Sequence, residues 1–224
     1  MEISDLNLEL YLIRHATPAE KVDHWSSPTT PLNEFGLSQA EKIGRFLANQ
    51  KFNTIITSPY KRATQTTKSI AKYNKSVLPR EEPWLSEINL GEWTGRHKDV
   101  IKSQMPVSLK RLLDEGYDER GPLVANLMML DRNFKFPKGE SLQEFWNRVI
   151  KGFSKTLDQF KGEKKQKICL VGHGGSFTVI VLKLIGKSFF DQFFPLFMFE
   201  KANYTKIRIK KGKMYFLLMN PIKL

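Results

Sequence analysis

Arg14 and His15 stand together at the end of the apolar run LELYLI, Arg62 lies one helical turn beyond TIITSP, and His173 follows ICLV. Each run reads as a buried strand, and in α/β sheets ligands gather at the carboxyl ends of strands. Three separate stretches of chain therefore converge on one edge. Glu87, in the loop segment LSEINLGEW, adds a carboxyl group. Two histidines, two arginines and one carboxyl make a mostly positive pocket with one proton donor, which suits a phosphomonoester. Planar guanidinium forks match phosphate oxygens. Neutral imidazole is a competent nucleophile near neutral pH, and a covalent intermediate divides one difficult displacement into two. The departing alkoxide then needs a carboxylic acid kept protonated by partial desolvation.

Taken singly these residues carry less. Arg14-His15 alone is a surface dipeptide as readily as a site, and Glu87 has Glu81, Glu82 and Glu92 as neighbours. His24 and His97 read as surface or rim residues, and Cys169 as a small packed hydrophobe.

The elements that must position the pocket alternate along the chain. Residues 8–13 and 54–57 read as strands. A helix with Asn33 as N-cap shows apolar spacing at Leu37, Ala40, Ile43 and Leu47. Ser58-Pro59 predicts an N-cap and first helical position for a helix to about Tyr73, followed by an extended segment near Ser76 to Pro79. Ser141 and Glu144 form a capping box ahead of a helix whose apolar stripe runs from Phe145 to Leu157. Residues 168–171 predict a central strand, Ser176 to Ile185 an apolar helix, and Lys211-Gly212 the turn of a C-terminal antiparallel hairpin. The expected fold class is α/β: three α/β/α layers around a mostly parallel sheet with an antiparallel C-terminal edge, in one catalytic domain over 1–224. Residues 94–139 break the alternation and read as a helical cap insertion.

Composition narrows the classes further. The 224 residues are 41% hydrophobic and 26% charged, which excludes disorder and fibrous repeats. With 36 Lys and Arg against 23 Asp and Glu, the net charge of +13 points to nucleic acid, an anionic membrane surface or phosphorylated small molecules. A lone cysteine excludes an internal disulfide and a cysteine-rich metal site, and suits the reducing cytoplasm. Glu2 and Asp5 stand where a secretory leader needs positive charge, and the apolar stretch from Phe177 to Phe199 is too interrupted to span a membrane. Nucleic acid and membrane are therefore not expected partners, because basic charge with no interleaved aromatic motif is a weak signal for either. Nothing in the pattern sets an oligomeric state.

Six strings occur in an order that resembles the histidine phosphatase superfamily, the phosphoglycerate-mutase-like proteins. They are LIRHATP at 12–18, PLNEFGLSQA at 31–40, TSPYKRATQT at 57–66, LSEINLGEWTG at 85–95, FPKGESLQEF at 136–145 and VGHGG at 171–175. Their gap, about 96–135, falls where that family places a variable cap. The resemblance implies a cofactor-independent phosphomonoester hydrolase with no metal. His15 would be the nucleophile, and Arg14, Arg62 and His173 a cationic cage. Glu87 would be the proton donor and later the helper of water, with the Gly174 N–H facing phosphate. Two positions depart from the family. Ala16 replaces the usual glycine after the nucleophile, which leaves its N–H available as a donor. Lys21 stands six residues past His15, where many relatives carry a phosphate-contacting Asn. Mutase-type phosphoryl transfer is the alternative, disfavoured because the chain stops soon after its last strand; a basic binding protein on the same scaffold is a third reading. Family members act on sugar phosphates, nucleotide-loop precursors, phosphoserine and phosphoproteins. The basic residues Arg96, Lys98, Lys102, Lys110, Arg111, Arg120 and Arg132 suggest a polyanionic substrate.

Overall fold

The alternating runs become a sheet whose register sets the site. The computed structural model describes residues 3–20, 24, 26–97, 100, 103, 133–162, 164–188 and 199–220. Its strands are β1 (Asn7–Arg14), β2 (Thr54–Thr57), β3 (Arg80–Glu81), β4 (Gln166–Gly172), β5 (Tyr204–Lys210) and β6 (Lys213–Asn220). The described helices are α1 (Glu34–Phe46), α2 (Lys61–Tyr73), α3 (Leu142–Asp158) and α4 (Gly174–Leu184). The strands lie in the order β3-β2-β4-β1-β5-β6. The pairs among β1 to β4 are parallel, while β5 runs antiparallel to β1 and β6 antiparallel to β5.

Side-chain alternation divides the core into two. On β1, Leu8, Leu10 and Leu12 join Phe145, Val149, Phe153 and Phe177 of α3 and α4 on one face. Tyr11 and Ile13 join Ile43, Ala63 and Ile70 of α1 and α2 on the other. Ile168 and Leu170 against Cys169 and Val171 repeat the division on β4. This is the period of two that a covered sheet imposes, and the expected three layers follow from it. Cys169 is fully buried and its thiol is pushed far up by that burial.

Local signals set the element ends. Asn33 Oδ1 accepts the Gly36 N–H at 2.7 Å, and the Ser141–Glu144 box closes with bonds of 3.1 and 2.9 Å. Lys211 and Gly212 have φ of 50° and 69°, the paired positive values that a tight type I′ hairpin turn requires. Four expectations need correction. Helix α2 starts at Lys61 behind Tyr60; Ser58 Oγ accepts the Tyr60 N–H at 3.3 Å, ahead of the helix, and meets His173 Nε2 at 2.8 Å. The extended segment is β3, beyond Pro79, whose missing N–H cannot join a ladder. Helix α4 starts at Gly174 with His173 as N-cap, and Ser176 Oγ bonds back to the His173 backbone. Leu37 is 47% exposed, since the buried stripe of α1 runs through Gly36, Ala40 and Ile43. In the expected cap, residues 98, 99, 101, 102 and 104–132 lie outside the described residues.

Helix α3 packs on the 3-10 turn Pro83–Leu85 that precedes Glu87. A β-carbon at Gly152 would lie 2.0 Å from Trp84 Cγ. Alanine there gains helix propensity of up to about 1 kcal/mol but forces an overpacked contact costing roughly 1–3 kcal/mol. Gly152→Ala is therefore expected to lower the urea unfolding midpoint; a raised midpoint would show that Trp84 yields freely.

Candidate active site

The ladder places the reactive groups. Arg14 pairs with Gly172, so His15 and His173 are the first residues past two neighbouring parallel strands. The His15 N–H donates to the Gly172 carbonyl at 3.0 Å and the Ser58 N–H to the Val171 carbonyl at 2.9 Å. The imidazole rings end with centroids 5.1 Å apart. Arg62, in the first turn of α2, reaches between them: Nε donates to His15 Nε2 at 3.1 Å and Nη2 to His173 Nδ1 at 3.2 Å. Its Nη1 donates to the Ser27 carbonyl at 2.9 Å.

These partners define both tautomers. A guanidinium only donates, and a carbonyl only accepts. His15 Nδ1 contacts the Ala16 carbonyl at 2.8 Å, so Nδ1 carries the proton and Nε2 presents its lone pair to Arg62. By the same logic His173 Nδ1 accepts from Arg62 and Nε2–H donates to Ser58 Oγ. His15 and His173 are 4% and 0% exposed. Burial, and then the adjacent Arg62 cation, hold both well below the usual histidine range, so both are neutral at neutral pH.

Arg14 lies alongside, with Nη1 donating to the Phe199 carbonyl and Nε buried without a hydrogen-bond partner. Gly174 opens α4, where a helix start leaves N–H groups free, and its vacant side faces the Arg14 guanidinium. Burial pulls the pKa of Arg14 and Arg62 down, and Glu87 opposes that shift in both. Glu87 Oε2 accepts the Gly175 N–H at 3.1 Å, and Oε1 accepts its neighbour Ile88's N–H at 3.2 Å. Of the nearby acids, Glu82 pairs with Arg80 and Glu92 with Lys138, leaving Glu87 at the cage. The structure thus brings together His15, Arg14, Arg62, His173, Gly174 and Glu87; Lys21 lies outside the described residues. Ala16 needs correction: its N–H is not open to a ligand but donates to Thr66 Oγ1 at 3.1 Å.

Tyr60, Arg148 and Glu140 have no role in the sequence reading. The Tyr60 ring stands edge-on to His173 at 5.0 Å and 5.1 Å from the Arg62 guanidinium. Arg148 forms a bidentate pair with Glu140 at 3.0 and 2.6 Å. Tyr60, Glu87, Asn89 and Arg148 line an open cavity of about 270 Å³. Tyr60 and Glu140 fall inside the quoted strings, and Arg148 is a cation three residues after Phe145 in an apolar stripe. His24 and His97 meet across an isolated bridge with rings 5.1 Å apart. Among the described residues, no three His, Cys, Asp or Glu side chains cluster to hold a metal ion, and no helix is long and apolar enough to cross a membrane.

The neutral histidines tie stability to pH. An unfolded chain binds protons on histidine at about pH 6.5, whereas these two stay neutral in the fold to much lower pH. The unfolded state thus holds more protons below that point, and stability falls as pH drops. The expected slope is at most about 1.4 kcal/mol per pH unit for each histidine. Urea titrations of the wild type and of His15→Asn/His173→Gln check this; equal slopes for the two proteins below pH 6.5 would refute it.

Comparison with known proteins bears on the family and the fold. Phosphoserine phosphatase 1 of Hydrogenobacter thermophilus is 25% identical over 215 residues, covering 95% of this chain and 92% of the relative. The adenosylcobalamin/alpha-ribazole phosphatase of Escherichia coli is 26% identical over 183 residues, 80% of each chain. The crystal structure of the alpha-ribazole phosphatase from Shigella flexneri shares the fold with a TM-score of 0.74 at 22% identity, covering 95% of this chain and 96% of that one. The family model of the histidine phosphatase superfamily, branch 1, matches residues 10–221, from within β1 to just past β6, and the chain belongs to that superfamily.

Proposed function

We propose that the protein hydrolyses phosphomonoesters of small molecules through a phosphohistidine on His15, without metal or organic cofactor. The observation that carries this reading is the tautomer of His15: Nδ1 is held by the Ala16 carbonyl, so the Nε2 lone pair points into the cage beside Arg62. Arg62 Nε passes its hydrogen bond from His15 Nε2 to a phosphate oxygen, which frees the lone pair; Nε2 then attacks phosphorus while Arg14, Arg62 and the Gly174 N–H hold the non-bridging oxygens. The bond from phosphorus to the ester oxygen breaks, and Glu87 supplies the proton that this oxygen takes up. Water then attacks the phosphohistidine, giving its proton to Glu87, and inorganic phosphate leaves. Imidazole is a suitable carrier here because its pKa is depressed: burial keeps the attacking nitrogen unprotonated without a separate base.

The leaving group belongs in the cavity beside Glu87, whose volume of about 270 Å³ suits a small alcohol or sugar. The relatives' names span small and large leaving groups, phosphoserine in one and adenosylcobalamin or alpha-ribazole in the other. Of the basic residues that suggest a polyanionic substrate, Lys98, Lys102, Lys110, Arg111, Arg120 and Arg132 lie outside the described residues.

Two experiments test the mechanism. His15→Ala is expected to abolish both turnover and acid-labile labelling by phosphate, leaving only residual positioning catalysis. Glu87→Gln is expected to lower the rate of His15 phosphorylation by alkyl phosphates roughly 10²–10⁴-fold, since it keeps shape and removes the acid. p-Nitrophenyl phosphate hardly needs that proton, so its pre-steady-state burst is expected to survive. Full activity in His15→Ala, or equal suppression of both bursts in Glu87→Gln, would overturn the assignment. EDTA is expected to leave activity intact, and a loss restored by magnesium or zinc would contradict the absence of a metal from the mechanism.

A further inference from the structure

Glu87 sits on a stretch without helix or strand, between the 3-10 turns Pro83–Leu85 and Gly91–Trp93. Among the described residues, the carboxyl oxygens accept only from Gly175 and from Ile88. Proton donation over a defined oxygen demands tighter control than two long N–H contacts supply, and the main chain supplies it through one side chain. Arg148 Nη1 donates to the carbonyls of Pro83, Trp84 and Ser86 at 3.1, 2.9 and 3.3 Å, and Nη2 to that of Glu87 at 3.3 Å. Its Nε and Nη2 also hold both oxygens of Glu140, whose Oε1 accepts the Asn89 N–H at 2.8 Å. The Glu140 N–H donates in turn to the Asn89 carbonyl at 2.9 Å. One ion pair therefore fastens the segment both before and after Glu87.

The pair is well shielded, with side-chain exposures of 27% for Arg148 and 14% for Glu140. A planar fork with five N–H donors can serve a carboxylate and a row of carbonyls together; an ammonium, with three donors on one atom, cannot span them.

We propose that Arg148, oriented by Glu140, is the positioning residue for the Glu87 carboxyl. It acts through Glu87 and not on phosphate, so its contribution to the chemical step is the proton transfer. The inference rests on Glu87 as the proton donor.

The test compares an alkyl phosphate with p-nitrophenyl phosphate on Arg148→Lys, Glu140→Gln, Glu87→Gln and the double variant Arg148→Lys/Glu87→Gln. A misplacement of about 1 Å costs on the order of 10²-fold, so Arg148→Lys is expected to lose about that factor on the alkyl phosphate. Arg148 also lines the leaving-group cavity, so bursts are read at saturating substrate. The loss with p-nitrophenyl phosphate is expected to be far smaller than with the alkyl phosphate, and unchanged inhibition by inorganic phosphate reports that the fold and cage are intact. Glu140→Gln, which keeps the guanidinium, is expected to show the same selectivity with a smaller loss. In the double variant, adding Arg148→Lys to Glu87→Gln is expected to cost nothing more, because both remove one function. Multiplying losses in the double variant, or equal losses on both substrates, would assign Arg148 a general structural role and overturn the proposal. If Glu87→Gln shows leaving-group dependence while neither Arg148→Lys nor Glu140→Gln does, only this inference fails. If Glu87→Gln itself shows none, the reading of Glu87 fails and the proposal with it.

Discussion

Two guanidinium groups held together where little water reaches them are the constraint around which the molecule is organised. Arg62 is 4% exposed, and burial lowers the proton affinity of both Arg14 and Arg62. Taking such ions out of water costs several kcal/mol each unless partners replace the lost hydration. The partners here are mostly neutral: the carbonyls of Ser27 and Phe199, and ring nitrogens of His15 and His173. The carbonyls satisfy donors without cancelling charge, so the cage stays positive and keeps Arg14 Nε unpartnered. Burial, and after it the same field, keeps the imidazoles neutral, which ties the two rings and the two guanidinium groups into one electrostatic unit.

Such an arrangement tolerates little movement, and the sheet supplies the rigidity. His15, Ser58 and His173 each follow directly on a strand, and β2, β4 and β1 are adjacent and parallel. Their hydrogen-bonded register transmits to the side chains just beyond it. A slip of one residue in β1 would turn His15 to the opposite face of the sheet. Glu87 has no strand behind it, and its position depends on side chains of α3 and on the packing of Trp84 against Gly152.

The legibility of the sequence follows this division. His15, Arg62 and His173 could be read because each follows a short apolar run, where strand ends and reactive residues coincide. The layers were legible from the alternation in β1 and β4, and the helix starts at Asn33 and Ser141 from side chains with one available use. Ser58 misled because its hydroxyl serves two groups outside the helix, the Tyr60 N–H and the ring of His173, 115 residues away. The Ala16 N–H reads as an available donor for a similar reason, since only the fold brings Thr66 to it. Glu87 was distinguishable from its acidic neighbours only by the family pattern around it. Arg148 was hidden because an arginine in an amphipathic helix ordinarily lays its stem on apolar surface and sends its charge to water. Here the charge turns inward to carbonyls that no local pattern announces.

The placement of Cys169 has a chemical consequence of its own. The only sulfhydryl in the chain is sealed between the sheet and the α1–α2 layer, with its deprotonation suppressed by burial. Peroxides and thiol-directed reagents attack thiolates that they can reach. On the proposed imidazole mechanism, with the one thiol buried away from the cage, thiol-directed reagents are expected to spare an activity that they would abolish in an enzyme relying on a cysteine nucleophile.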